Sequence, residues 1–381
     1  MNRKWMSRLL GAVSLSVLCG ILVVGLWPFN PHPHNDVNWI GSGDGLEFTN
    51  YGVVLSAGNV ELKPASPGKL ASQSVELWLQ PGLTDDTNTM LGFYTPKNPL
   101  QFRVCQEGDS LFVLRDYVDE QGKVRGVQME VDHVFHQDQK LLITVTSGPR
   151  GAAIYLNGAL AGTSTSLGLT NADFTGQLVF GTSAVDNDSW TGQLYGIAVY
   201  DRELMPSEVT DHYIAWDRDG RLRLAEAEGA TALYLFEERA GSVVHNQVRS
   251  GPDLYIPEHY FLLDKAFLEP FWKEFSPTWG YCKDILINIG GFVPLGFSFC
   301  AYLSYGRRMN RAVLATVLLG GIVSFVIEFL QGFFPTRASG TTDLITNTLG
   351  TALGAAIARS KVAQSLFAEV WIRVGSARDV L

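Results

Sequence analysis

Three polar pairs interrupt long apolar runs in the last quarter of the chain. Asp284 and Asn288 are four residues apart, Glu328 and Gln331 three, and Asp343 and Asn347 four. Lys283 stands beside the first pair and Arg337 lies between the other two. On a helix, each spacing puts both members of a pair on one face. Hydrocarbon does not tolerate such groups unpaired, so ionisable residues in membrane-length apolar runs are expected to hold something polar. Two readings stay open. In one, the eight residues are buried pairs that fix helix packing. In the other they form an outward-opening pocket, where Arg337 holds an anionic phosphate and Glu328 and Asp343 organise the rest of a polar ligand. An undecaprenyl or phospholipid headgroup has the right chemistry. Hydrolysis would need a general base, and because no histidine follows His259, only a carboxylate such as Glu328 or Asp343 could serve.

A second constellation is Asp186-Asn187-Asp188-Ser189-Trp190. Carboxylates and an amide beside an aromatic platform suit a sugar, often with calcium held by oxygen ligands. The alternative is an ordinary polar turn followed by an inward-facing tryptophan. Calcium in this region is an expectation of the first reading only. His133 and His136 are three apart without a third ligand nearby in sequence, and Cys19, Cys105, Cys282 and Cys300 show neither CxxC spacing nor a disulfide framework.

The elements that must carry these groups follow from charge and hydropathy. Only 18% of the 381 residues are charged and 46% are hydrophobic, against roughly 25% charged in an ordinary soluble domain. The deficit is local: residues 9–27, 285–306 and 312–327 contain no Asp, Glu, Lys or Arg. Residues 36–265 hold 31 acidic and 16 basic side chains. A single soluble globule, a disordered chain and a basic nucleic-acid binder are thereby excluded.

The predicted order starts with a cytoplasmic segment, 1–8, and a transmembrane helix, 9–27, about 28 Å long. The run lacks a signal-peptidase-like site before Trp27 and reads as an uncleaved anchor. An all-β domain follows over 38–250. Ser74–Leu79 alternates as a half-buried strand, with Val75, Leu77 and Leu79 on one side. Leu111–Leu114, Leu141–Thr146, Ala152–Leu156, Gln177–Phe180 and Leu194–Tyr200 have the same texture. Asn157-Gly158 predicts a type I′ turn. Many evenly spaced strands predict a sandwich or jelly roll, with one helical exception opening at Pro206. Residues 251–282 read as a linker ending in an interfacial aromatic cluster. Spans follow at 283–306, 312–333 and 343–358, with an interfacial helix at 362–381. Gly350 and Gly354 form a GxxxG pattern for close helix approach, while Gly291, Pro294 and Gly296 would allow a kink in the second span. With the N-terminus in the cytoplasm, the basic clusters at 307–311 and 359–361 both fall on the cytoplasmic side and the acidic domain is exported.

Two resemblances fit this order. Ser74–Leu79, Ile154-Tyr155-Leu156-Asn157-Gly158 and Gly192–Leu204 resemble the laminin-G, concanavalin A-like lectin superfamily, which implies a β-sandwich and a glycan- or protein-binding module. The segment Lys283-Asp284-Ile285-Leu286-Ile287-Asn288, with Phe292, Pro294, Leu295 and Gly296, resembles the VanZ-like membrane family. That likeness continues through Glu328-Phe329-Leu330-Gln331, Arg337, Asp343–Gly350 and Gly354, and Trp27-Pro28-Phe29 is similar to the end of the family's first span. The resemblances imply a lectin-like domain inserted in a four-helix VanZ-like bundle of a bacterial inner membrane, periplasmic or extracellular in its sandwich. Its expected partners are membrane lipid, cell-envelope glycan or a lipid-linked precursor, and membrane protein partners, with no nucleic acid. The competing expectations are an accessory subunit of a larger membrane complex and a lipid-headgroup or lipid-linked-glycan modifying enzyme.

Overall fold

The computed structural model describes residues 3–41, 43–61, 72–82, 87–119, 121, 123–219, 222, 229–248, 251–275, 277–306 and 309–365. The chain forms two compact units, one of Met1–Pro31 with Ala266–Leu381 and one of His32–Lys265. The β-rich unit is therefore longer at both ends than the alternating texture over 38–250. Helix α1 (Arg3–Leu26) opens the helical unit.

The β-rich unit begins with β1 (Val37–Trp39), β2 (Leu46–Phe48), β3 (Val54–Val60), β4 (Gln73–Pro81), β5 (Thr87–Thr95), β6 (Asn98–Glu107), β7 (Ser110–Val118) and β8 (Val124–Val131). It continues with β9 (Leu141–Gly148), β10 (Gly151–Leu156), β11 (Ala159–Ser164), β12 (Gly176–Phe180) and β13 (Gly192–Tyr200). Helix α2 (Pro206–Asp219) precedes β14 (Ala230–Tyr234), β15 (Val243–Val244) and β16 (Leu254–Tyr255). One sheet runs β1-β2-β13-β4-β9-β10-β11, with β14 also on β13, and the other runs β15-β16-β3-β12-β5-β6-β7-β8. Leu77, Phe93, Phe102, Val145, Phe180 and Ile197 belong to the core they share. The turn between β10 and β11 has φ of 50° at Asn157 and 80° at Gly158, the left-handed pair that a type I′ hairpin needs.

The reading of Ser74–Leu79 as half-buried needs correction, because both faces of β4 are covered. Its second face lies under α2, where Trp78 stacks on Trp216 at 6.0 Å. Glu76, fully buried there, accepts from the Tyr200 hydroxyl (3.0 Å) and Thr144 Oγ1 (3.1 Å) and lies 3.0 Å from His212 Nδ1. A buried carboxylate is tolerated only with such partners.

The helical unit resumes with the short α3 (Phe271–Glu274), then α4 (Trp279–Ala301), α5 (Ala312–Gln331) and α6 (Thr341–Ala358). Among the described residues, Lys4–Leu26, Trp279–Tyr305 and Ala312–Gln331 are long and apolar enough to cross a membrane. Expected as a fourth span, α6 is not among them: five threonines along its 18 residues dilute its apolar character. Large apolar side chains point outward from the bundle, among them Val23, Leu286, Leu318, Ile322 and Leu349, as lipid-facing surfaces do.

Glycines set the closest approach in the bundle. A Cβ on Gly350 would lie 2.2 Å from the Ile289 carbonyl oxygen, and one on Gly354 2.1 Å from that of Val293. A Cβ on Gly296 would meet Thr351 O at 2.0 Å. Backbone thus lies against backbone between α4 and α6. Gly291 is different: a Cβ there meets nothing within 4 Å, so it sets no close approach between helices. Pro294 sits inside α4 and is exposed. The interfacial helix expected at 362–381 lies, beyond residue 365, outside the described residues, as do Arg307 and Arg308 of the basic loop.

Candidate functional site

Helices α1, α4, α5 and α6 line a partly open cavity of about 440 Å³. Val17, Ile21 and Val24 of α1 line one side, with Ile287 and Phe292 of α4 and Ile327 of α5. Asn288, Glu328, Gln331, Arg337, Asp343 and Asn347 line the same space. Six of the eight polar residues picked out in the sequence therefore meet around one space. Gly291 and Pro294 line it too, which explains why a Cβ at Gly291 has room.

Hydrogen bonds divide these groups into braces and free ends. Gln331 Nε2 donates to Gly25 O of α1 at 2.7 Å, and Asn288 Nδ2 donates to Asp343 Oδ1 at 2.7 Å. Glu328 Oε2 accepts from the Gly340 N–H at 2.9 Å. Glu274 Oε2 accepts from Thr342 N at 2.9 Å and Thr342 Oγ1 at 2.5 Å. These two carboxylates occupy the start of α6, where N–H groups lack helical partners and the dipole favours negative charge. Gly340, the residue at the cap, has no side chain to do it.

Among the described residues, Arg337, which is half-buried, makes one side-chain hydrogen bond, Nη2 to Gly25 O at 3.3 Å, and has no carboxylate within ion-pair distance. A guanidinium has five N–H donors, so most of its capacity is left over. Asn347 Nδ2 donates to Ser324 Oγ at 3.0 Å, whereas its Oδ1 is buried without a partner.

Two residues of the expected cluster stand apart. Lys283 is exposed and lines no part of the cavity. Asp284 is also exposed and lines an adjoining recess of about 410 Å³, with Glu269, Glu274, Tyr281, Asn288, Thr342 and Asp343 on its walls. Glu274 and Ser324 were missed in the sequence. Glu274 lies in a four-residue helix with no periodicity to flag it, and Ser324 looks like any small residue of an apolar span.

The loop at 186–190 does not form the sugar platform. Trp190 is 1% exposed, and its Nε1 donates to Gln106 Oε1 at 2.8 Å inside the sandwich. Asp188 Oδ1 accepts from Ser183 N (2.5 Å) and its Oδ2 from Thr89 Oγ1 (2.7 Å). Burial pushes this carboxyl up to about 7, against the pull of those two bonds. Asn187 Oδ1 accepts from the Tyr260 hydroxyl at 2.9 Å, and Asp186 is exposed. The loop's polar atoms hold the loop, and no aromatic face is presented for stacking.

Residues 232–364 match the family model described as VanZ/LLP1. Residues 56–210 match that of the concanavalin A-like lectin/glucanases superfamily. No curated protein matches the chain significantly. Among solved structures, the chain is similar to a protein of Bacteroides ovatus described as carbohydrate binding, at 13% identity and a TM-score of 0.36, covering 55% of this chain and 58% of that one. It is also similar to the binding domain of Paraclostridial Mosquitocidal Protein 1, at 12% identity and a TM-score of 0.35, covering 51% and 49%. The chain thus spans about half the length of these structures, and likeness at this level assigns no ligand. The two family matches, the paired sheets and the apolar helices make this a membrane protein that joins a VanZ-like domain to a concanavalin A-like, laminin-G-type domain.

Proposed function

We propose that this is a bacterial envelope protein whose helical bundle holds the phosphate-bearing headgroup of a lipid, while its sandwich is an outward-facing module for glycan or protein. The observation that carries the reading is Arg337, a cation without an ion pair among the described residues, on the wall of a cavity that apolar side chains of α1 and α4 also line. A guanidinium matches phosphate oxygens through paired N–H donors. The α1 and α4 side chains suit the first methylenes of an acyl or polyprenyl chain, and a volume of about 440 Å³ is ordinary for a small-ligand site. In this reading the N-terminus is cytoplasmic and the sandwich lies outside the inner membrane. The lectin-type family match supports the second module without naming its ligand.

The test is purification of the intact protein from its native membrane in gentle detergent, followed by mass spectrometry of everything retained. Wild type is expected to carry a phospholipid or polyprenyl phosphate, and Arg337→Ala to hold roughly tenfold less, the change made by losing about 1.4 kcal/mol of binding. Equal retention by the two proteins overturns the reading. Stoichiometric protein partners without lipid would favour an accessory subunit instead. A hydrolytic reading draws on the meeting of Glu328, Arg337 and Asp343 around one cavity, and release of free headgroup during incubation is the result that would support it.

A further inference from the structure

Resting on the headgroup reading above, we propose that the bound headgroup is zwitterionic: a phosphate at Arg337 joined to a primary ammonium that lies toward Asp343 and Asp284, as in a phosphoethanolamine lipid. The charge on the walls points this way. Arg337 is the one cation lining the cavity, against the carboxylates of Glu328 and Asp343. A purely anionic headgroup would leave these acidic side chains without a donor from the ligand. The adjoining recess has Glu274, Asp284 and Asp343 on its walls and, among the described residues that line it, no Lys, Arg or His. Asn288 and Asp343 belong to both walls, so a headgroup held at Arg337 can extend from one space into the other.

An independent observation asks for a donor rather than an acceptor. Asn347 is 4% exposed, lies one helical turn beyond Asp343 on the cavity wall, and leaves its Oδ1 without a partner. A buried unpaired acceptor is costly, and a ligand N–H would satisfy it. An ammonium offers three donors to the acceptors along this face of α6. A choline headgroup offers none, so the same wall selects a primary amine over a quaternary one. A divalent cation is a poorer fit, since no group of three acidic, histidine or cysteine side chains among the described residues closes to metal-binding geometry.

The experiment is native mass spectrometry of the intact protein in detergent, supplied with phosphatidylethanolamine, phosphatidylcholine and phosphatidylglycerol of identical acyl chains. Wild type is expected to retain the ethanolamine lipid roughly fivefold better than either of the others, the order of one charge-assisted hydrogen bond. Asp284→Asn, at an exposed position, should bring the ethanolamine-to-glycerol ratio close to one while glycerol-lipid binding persists. Asn347→Leu should lower the same ratio, and Arg337→Ala should weaken all three lipids. Equal binding of the three by wild type, lost together in Arg337→Ala, overturns the ammonium assignment and leaves the headgroup reading standing. An unchanged ratio in both Asp284→Asn and Asn347→Leu likewise overturns it. Failure to retain any lipid, or indifference to Arg337→Ala, overturns the headgroup reading itself. Soluble O-phosphoethanolamine separates the sources: complete displacement of the lipid by it would overturn assignment of the group to a lipid.

Discussion

In the sandwich, Asp188 commits both carboxylate oxygens to its own surroundings, one to the Ser183 N–H and one to the Thr89 hydroxyl. In the bundle, Asp343 receives one side-chain hydrogen bond, Arg337 makes one long one, and Asn347 keeps an acceptor unpartnered. Both regions attract notice in the sequence for the same side-chain types. Their difference is one of saturation. A polar loop at the edge of a sandwich must satisfy its own backbone, and its carboxylates do that work. Polar groups among apolar helices stay under-satisfied only where a cavity admits something else to complete them. Saturation, rather than polarity, separates a structural cluster from a candidate site.

The largest expected effect distinguishes two glycines. Gly350→Leu would force a Cβ to within 2.2 Å of the Ile289 carbonyl oxygen and should cost about 3 kcal/mol or more, enough to prevent isolation of a monodisperse bundle by size-exclusion chromatography. Gly291→Leu meets nothing within 4 Å at its Cβ and points into the cavity. That variant should elute as wild type and retain roughly tenfold less lipid. Normal lipid content in folded Gly291→Leu would remove the cavity from the argument.

The next effect tests saturation directly through thermal unfolding of the intact protein. Asp188→Ala strands a backbone N–H and the Thr89 hydroxyl, and should destabilise the sandwich by about 2 kcal/mol. Asn347→Leu loses the bond to Ser324 but also removes an unpaired acceptor, so bundle stability should stay within about 1 kcal/mol of wild type. Equal destabilisation by both changes would break the comparison, because Asn347 would then be as structural as Asp188.

The sequence makes the elements legible where one local signal suffices. Period-two alternation locates β4, β9 and β13, Asn157-Gly158 marks its hairpin turn, and uncharged runs locate α4 and α5. Five of the six members of the i,i+3 and i,i+4 pairs also line the cavity, Asp284 being the exception, since a helix fixes which face a pair shares. What stays hidden depends on partners distant in the chain. The second face of β4 is buried by His212 and Trp216, more than 130 residues later. Trp190 turns inward because Gln106, 84 residues earlier, supplies its acceptor. Lys283 looks like a member of the cluster from its neighbours alone, but it falls on the exposed side of α4. Glu274 reaches the start of α6 from a segment whose aromatic content gives no hint of that role.

The smallest effect concerns pH and sharpens the sandwich half of the comparison. Asp188 is held at about 7 in the folded protein against an ordinary 3.8. Between those values the folded chain binds more protons at this site than the unfolded chain does. Stability from this group therefore falls as pH rises through the window and levels off above about 7. Asp188→Asn removes the titration while keeping an oxygen for the Ser183 N–H. Its melting temperature should match wild type near pH 4 and exceed it at pH 8, the gap opening as pH rises through the window. Thermal unfolding of both intact proteins from pH 4 to 8, followed by tryptophan fluorescence, measures the crossover. A wild-type melting temperature that rises over the same range, with no rise in Asp188→Asn, would mean that the bonds from Thr89 and Ser183 outweigh burial. The loop would then favour a charged Asp188, and its carboxylate would be a stronger internal brace than its environment implies.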